Sequence, residues 1–192
     1  MQADDRRSQL MEAALRAFSR GGYHDTHVSH IIDEAGVARG TFYLYFKSKR
    51  EVFQALIDEM FASLEGVVRA LDPGALQPPI EQIRRNLERF VGVLRARPAL
   101  TRLLLEQGVP LEPDVRSRLR GFYSDLTRRM EANLEAGARL GLIRDVDREL
   151  VACALVGAVK EVFHEREPET LDPARVADAL VDLALHGLLA PA

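Results

Sequence analysis

With 192 residues, 47% of them hydrophobic and 29% charged, the chain can bury roughly 70% of the surface its unfolded form exposes, enough for one sizeable core or two smaller ones. Its longest apolar run, residues 150–159, falls short of the roughly 18 residues a membrane-spanning helix requires, and a net charge of −3 excludes coating of nucleic acid by charge alone. A single cysteine, Cys153, excludes an internal disulfide framework, fits a reducing compartment and, set in that apolar run, is expected to be buried.

The first predicted helix runs from Arg7 to Arg20, with Met11, Ala14, Leu15 and Phe18 on one face and Gly21-Gly22 ending the pattern. Ahead of it stand Asp4, Asp5, Arg6 and Arg7 with no apolar stretch, so the expectation is a cytoplasmic protein without a signal peptide. A short second helix, Thr26 to Ala35, brings Val28, Ile31, Ile32 and Ala35 to one side. Thr26 is placed to cap it through its hydroxyl, and His27 is the other candidate for the cap and for a phosphate contact. Gly36 follows, where a left-handed helix cap favours a residue without Cβ. Residues Val37 to Lys49, VARGTFYLYFKSK, then read as a short aromatic-rich helix. Helix, glycine turn, helix is the arrangement of the helix-turn-helix, here at about residues 27–46.

Beyond Lys49 the pattern is uniformly helical. Phe53, Leu56, Ile57, Met60, Phe61, Leu64, Val67, Val68 and Leu71 predict a long amphipathic helix running to the breaker Asp72-Pro73-Gly74. A fifth helix carries Ile80, Ile83, Leu87, Phe90, Val91 and Leu94 and closes near Pro98, and a short sixth spans Leu100 to Gln107. Pro113 opens a seventh, with Val115, Leu119, Phe122, Leu126, Met130 and Leu134 in one stripe before Gly141. The eighth, Leu150 to Phe163, is apolar on more than one face, and Pro173 opens a ninth reaching Leu188. No alternation of period two lasts long enough for a strand, and the chain contains no internal repeat. The fold expected is all-α.

An eighth helix apolar on several faces needs cover on two sides, and a second copy of the chain is the economical source. The expectation is a homodimer through helices at about 148–166 and 172–189, in a two-fold four-helix contact with Val151, Leu155, Val159, Val162, Val176, Leu180, Ala184 and Leu188 at the interface. Charge is uneven: residues 1–50 carry +2 and the remainder −5, which places the nucleic-acid side at the N-terminus. In a helix entering the major groove, Arg39 is the capable base reader, since its planar fork matches O6 and N7 of guanine. Gly40 leaves room for close approach, Thr41 reaches a phosphate or a thymine methyl, and the phenols of Tyr43 and Tyr45 donate to phosphate oxygens. Phe42 and Phe46, four apart, are expected in the core.

The stretch GGYHDTHVSHIIDEAGVARGTFYLYFKSKREVFQAL resembles the N-terminal domain of the TetR family of bacterial transcriptional repressors. The resemblance is specific over about residues 7–57 and architectural beyond. It implies that Thr26, Ser29, Arg39, Gly40, Thr41, Tyr43, Tyr45 and Lys49 contact DNA, and that nine helices form an Ω-like dimer whose variable C-terminal domain binds a small effector. Residues 1–50 would be the DNA-binding domain and 51–192 the effector-binding and dimerisation domain. Two positions depart from the family pattern: Ile32 stands where alanine is usual, and His27 where Ser or Thr is usual.

A ligand wedged among helices four to seven would find Phe61, Leu64, Leu87, Phe90, Leu94, Leu104, Phe122, Leu126 and Met130 as candidate wall residues, all of which also suit an ordinary core. The expected partners are therefore double-stranded operator DNA, a small effector of unnamed identity and a second copy of the chain, with no membrane and no cofactor. An enzyme is disfavoured by the lack of a phosphate-binding glycine loop, an HExxH helix or a nucleophile elbow. His24, His27 and His30 are more simply surface histidines near DNA than a metal site. The competing reading is a helical module that only dimerises or binds another protein.

Overall fold

The computed structural model describes residues 3–72, 74–105 and 113–186, apart from the side chains of residues 3, 4, 114, 185 and 186. The described residues form nine α-helices and one 3₁₀ turn, with no strand among them. They divide into two compact units, one comprising the described residues up to Ser63 together with residues 99–105, the other comprising the described residues of 64–98 and residues 113–186.

In the first unit, α1 (Ala3–Asp25) buries Leu10, Met11, Ala14, Leu15 and Phe18. Its regular path breaks at Gly22, where φ is +73°, and Tyr23 turns back into the core. There the rings of Phe18, Tyr23 and Phe53 meet at centroid separations of 5.4, 5.6 and 4.6 Å, a tilted and edge-on cluster that fills the unit's centre. Packed on α1, α2 (Val28–Ala35) has its last carbonyl engaged by Gln9, whose Nε2 donates to Ala35 O at 2.8 Å. Gly36, at φ +63° and ψ +38°, supplies the left-handed cap, and Val37 N–H reaches Ile32 O at 3.3 Å to close the turn.

That turn delivers α3 (Arg39–Tyr45), which buries Phe42 and is followed by buried Phe46. Then α4 (Lys49–Val67) begins on a capping arrangement: Glu51 N–H approaches Ser48 Oγ at 3.3 Å, and Lys47 N–H donates to the Glu51 carboxylate at 2.6 Å. The remaining element of this unit is α6 (Pro98–Leu105), with Leu100, Thr101 and Leu103 to Leu105 all buried. The expected end of the sixth helix at Gln107 lies outside the described residues.

Within the second unit, α5 (Pro79–Ala96) packs on α9 (Pro173–His186) and on the 3₁₀ turn Pro168–Thr170. An ion pair between Arg84 and Asp178 joins those two helices. The long α7 (Pro113–Arg139) packs on α8 (Arg148–Glu165), which Asp147 caps by accepting from Leu150 N–H at 3.1 Å.

Several boundaries differ from the sequence expectation: α1 runs from Ala3 through the kink at Gly22 to Asp25 instead of from Arg7 to Arg20, α2 begins at Val28 instead of Thr26, and α4 ends early. The helix predicted to reach Leu71 ends at Val67, because side chains of α5 take over the backbone groups that a continuing helix would use. Asn86 accepts from Arg69 N–H at 3.2 Å and donates to Arg69 O at 2.7 Å. Gln82 does the same for Asp72, at 2.9 and 2.8 Å. Two amides thereby hold residues 69–72 outside the helix, a competition that apolar periodicity cannot reveal.

Candidate nucleic-acid interface and effector cleft

The outer side of α3 follows from its inner side. With Phe42 and Phe46 buried, Arg39, Gly40, Tyr43 and Leu44 are exposed, and Thr41 and Tyr45 are half-buried at the edges. The Arg39 guanidinium lies 5.8 Å from the centre of the Tyr43 ring, a cation–π contact that orders a long side chain before any ligand arrives. A Cβ added at Gly40 would meet nothing within 4 Å, so the glycine leaves an open patch of backbone beside these side chains. Leu44 was not singled out from the sequence, although the helical phase set by Phe42 and Phe46 already turns it outward.

At the N-terminal end of α2, His27, Ser29 and His30 are exposed or nearly so. His27 is the N-cap residue, with extended backbone, and its N–H donates to His30 Nδ1 at 3.2 Å. The expectation that Thr26 caps this helix and contacts DNA is therefore corrected. Its side chain is 2% exposed, and its hydroxyl is turned inward, 2.6 Å from Gly22 O and 3.2 Å from Ala17 O. The hydroxyl thereby ties the segment leading into α2 to the last turns of α1.

Lys49 requires a second correction. Its ammonium donates to the carbonyls of Tyr23, His24 and Thr26 at 2.8, 2.7 and 2.8 Å and sits 4.8 Å from the Tyr23 ring centre. An ammonium has three donors, and all three are engaged within the protein, so this lysine latches the α1–α2 connection and does not reach out to a phosphate. Lys47, two residues earlier, is exposed. Among the described residues no group of three His, Cys, Asp or Glu side chains is placed to hold a metal ion.

A narrow cleft opens in the second unit, lined by Leu64, Glu65, Val68, Phe90, Phe122, Asp125, Leu126 and Arg129. Four of the expected wall residues are there: Leu64, Phe90, Phe122 and Leu126. Leu87, Leu94 and Met130 lie outside this lining, and Phe61 and Leu104 belong to the first unit. The enclosed space is about 10 Å³, room for about one water, so the helices stand nearly closed on one another. Beside the cleft, the Tyr123 phenol has its pKa raised by burial, and the Lys160 ammonium lies 5.8 Å from its ring centre.

On α8 the exposed apolar and small residues are Leu150, which is 67% exposed, Cys153, Ala154 and Gly157, and Glu149, Glu161, His164 and Glu165 are exposed as well. Cys153 is thus exposed in the single chain, contrary to the expectation of burial. The expected interface positions Val151, Leu155, Val159 and Val162 form a different stripe, half-buried within the chain. Val176 is 8% exposed and belongs to the core of its own unit. Leu180 is half-buried, Ala184 is exposed, and Leu188 lies outside the described residues. Spacing alone does not say which apolar stripe of a helix its own neighbours cover, and here they cover the bulkier one in part.

The chain matches the model of the bacterial regulatory proteins of the tetR family over residues 10–56, and that of a tetracyclin repressor-like C-terminal domain over residues 76–188. It is 31% identical to the HTH-type transcriptional regulator YdgC of Bacillus subtilis (strain 168), across 95% of this chain and 92% of that protein. In fold it resembles the TetR family transcriptional regulator PfmR from Thermus thermophilus, with a TM-score of 0.80, 23% identity and full coverage of both chains. It likewise resembles the transcriptional regulator FadR from Bacillus subtilis in complex with stearoyl-CoA, with a TM-score of 0.75 and 23% identity over 95% of this chain and 99% of that one.

Proposed function

This chain belongs to the TetR family of bacterial transcriptional regulators, proteins that bind operator DNA as dimers, respond to small molecules and are not enzymes, and from that premise we propose how its own residues divide the work. Residues 1–50 read DNA and residues 51–192 bind the effector and dimerise. Arg39 pairs with a guanine in the major groove, Gly40 admits the close approach, and Thr41, Tyr43 and Tyr45 contact the adjoining backbone. His27 and Ser29 meet a phosphate at the positive end of α2. Lys47 supplies the cation that the family pattern would assign to Lys49. The observation that carries this reading is the single exposed side of α3, where a pre-ordered arginine stands beside a bare glycine.

The dimer forms through the open sides of α8 and α9, where Leu150, Cys153, Ala154 and Gly157 stand with Ala179 and Leu183. Small residues there allow two helices to approach closely. Among the described residues no helix is long and apolar enough to cross a membrane, and a DNA partner supports a cytoplasmic location.

The effector enters the cleft of the second unit, and an apolar body suits its floor of leucine, valine and phenylalanine. Ligand sites of ordinary size hold about 300–1,000 Å³. A cleft near 10 Å³ must open for one to enter. Opening moves the end of α4 at Leu64 and Glu65, and α4 is the helix whose other end carries the Lys49 latch. To shift operator occupancy from 99:1 to 1:99 the effector must favour the open form by about 10⁴-fold, roughly 5.5 kcal/mol, which about 220 Å² of apolar surface buried only in the open form can supply at about 25 cal/mol per Å².

The test is selection of DNA sites from a random pool by the purified protein at near-physiological salt. An enriched palindrome, its half-sites one helical turn or a multiple apart and each containing a guanine, is the expected result. A folded dimer that enriches nothing points to the dimerising module without DNA reading.

A further inference from the structure

We propose that Leu44 is a base-reading residue whose isobutyl group takes the 5-methyl group of a thymine in the major groove. This rests on the reading of α3 as the groove helix and names a chemistry that the polar residues of that helix do not supply. Phe42 and Phe46 are 0% and 2% exposed, whereas Leu44 between them is 82% exposed. The apolar side of α3 is therefore complete without it, and the leucine stands in water on the opposite side.

Single exposed leucines are ordinary on protein surfaces, so the neighbours decide. Leu44 follows Gly40 by one turn, and helical side chains lean back toward the N-terminus. It leans toward the glycine without covering it, since a Cβ at Gly40 would meet nothing within 4 Å. On the adjoining row the Arg39 guanidinium lies over the Tyr43 ring. The exposed side of α3 thus presents a planar cation and an aliphatic group flanking bare backbone. Base edges in the major groove offer the matching contrast: two acceptors on guanine, and on thymine the one aliphatic substituent among the four bases. A leucine that neither donates nor accepts leaves the polar edge of any other base unpartnered at its position, which turns an apolar contact into discrimination.

The full-length protein, its operator first obtained by selection, is titrated against duplexes in which each thymine is replaced in turn by deoxyuridine, which removes only the methyl group. One thymine per half-site is expected to lose roughly fourfold in affinity on replacement, and about 15-fold when both half-sites are changed. Leu44→Ala is expected to bind the thymine operator more weakly by a similar factor and to be indifferent to uracil at that position, while Arg39→Ala keeps the uracil penalty. An unchanged denaturation midpoint for Leu44→Ala shows that the exposed side chain supports no core. A flat deoxyuridine scan, or a penalty undiminished in Leu44→Ala, overturns the assignment and leaves the groove-helix reading standing. A pool that yields no palindrome overturns both.

Discussion

Two positively charged residues that look alike in the sequence stand in opposite surroundings. Arg39 is exposed and steadied on Tyr43, with its guanidinium edge left facing solvent. Arg39→Ala is expected to relax preference for one base pair per half-site by about 1–3 kcal/mol, read as a flattened position in a repeated site selection. Tyr43→Phe, lacking only a phosphate donor, should weaken binding to all sequences alike. Lys49, by contrast, is held by three carbonyls. Lys49→Met is expected to lower stability by about 2 kcal/mol, because hydrogen bonds to a charged group are lost and their acceptors stay behind; urea denaturation measures this. The same variant should leave the slope of log affinity against log salt nearly unchanged, whereas removal of a phosphate contact lowers it by about 0.9.

At the level of elements, the two turns that aim α2 and α3 are built from different materials. One is conformational: Gly36 sits at φ +63° with open space around the missing Cβ. Gly36→Ala therefore meets no clash and is expected to cost about 1 kcal/mol from left-handed backbone strain alone, with Gly36→Asn milder. Denaturation of the two variants in parallel checks the order. The other is a set of hydrogen bonds, with the Thr26 hydroxyl and the Lys49 ammonium gathering the carbonyls exposed where α1 breaks at Gly22. The early end of α4 belongs here too. Two side-chain amides of α5 outcompete a helical continuation that hydropathy alone favoured.

For the whole molecule, the proposed function requires that dimerisation set the spacing of two reading helices, one from each copy. The open side of α8 has space for a larger residue at Gly157, where an added Cβ meets nothing within 4 Å. Gly157→Glu should leave each chain folded while placing a charge in the proposed contact between copies. Sedimentation is expected to show a 21.5 kDa species for this variant where the parent protein sediments as a dimer, with operator affinity falling in step. A dimer that survives the substitution would move the contact to another face.

Helical periodicity, glycine and proline punctuation, and the motif from Gly21 to Leu56 were enough to assign an all-α chain, the helix-turn-helix and its family, because these depend on local spacing and on backbone geometry available only to particular residues. They also placed Phe42 and Phe46 inward and Arg39 outward. Tertiary structure decided the rest. It turned Thr26 and Lys49 from candidate DNA contacts into internal ties, stopped α4 at Val67, exposed Cys153 and left the stripe of Val151, Leu155, Val159 and Val162 half-buried within the chain. The physical reason is common to all of these: a polar group takes the nearest unsatisfied partner and an apolar stripe takes the nearest uncovered surface, and which is nearest is set by residues distant in the chain.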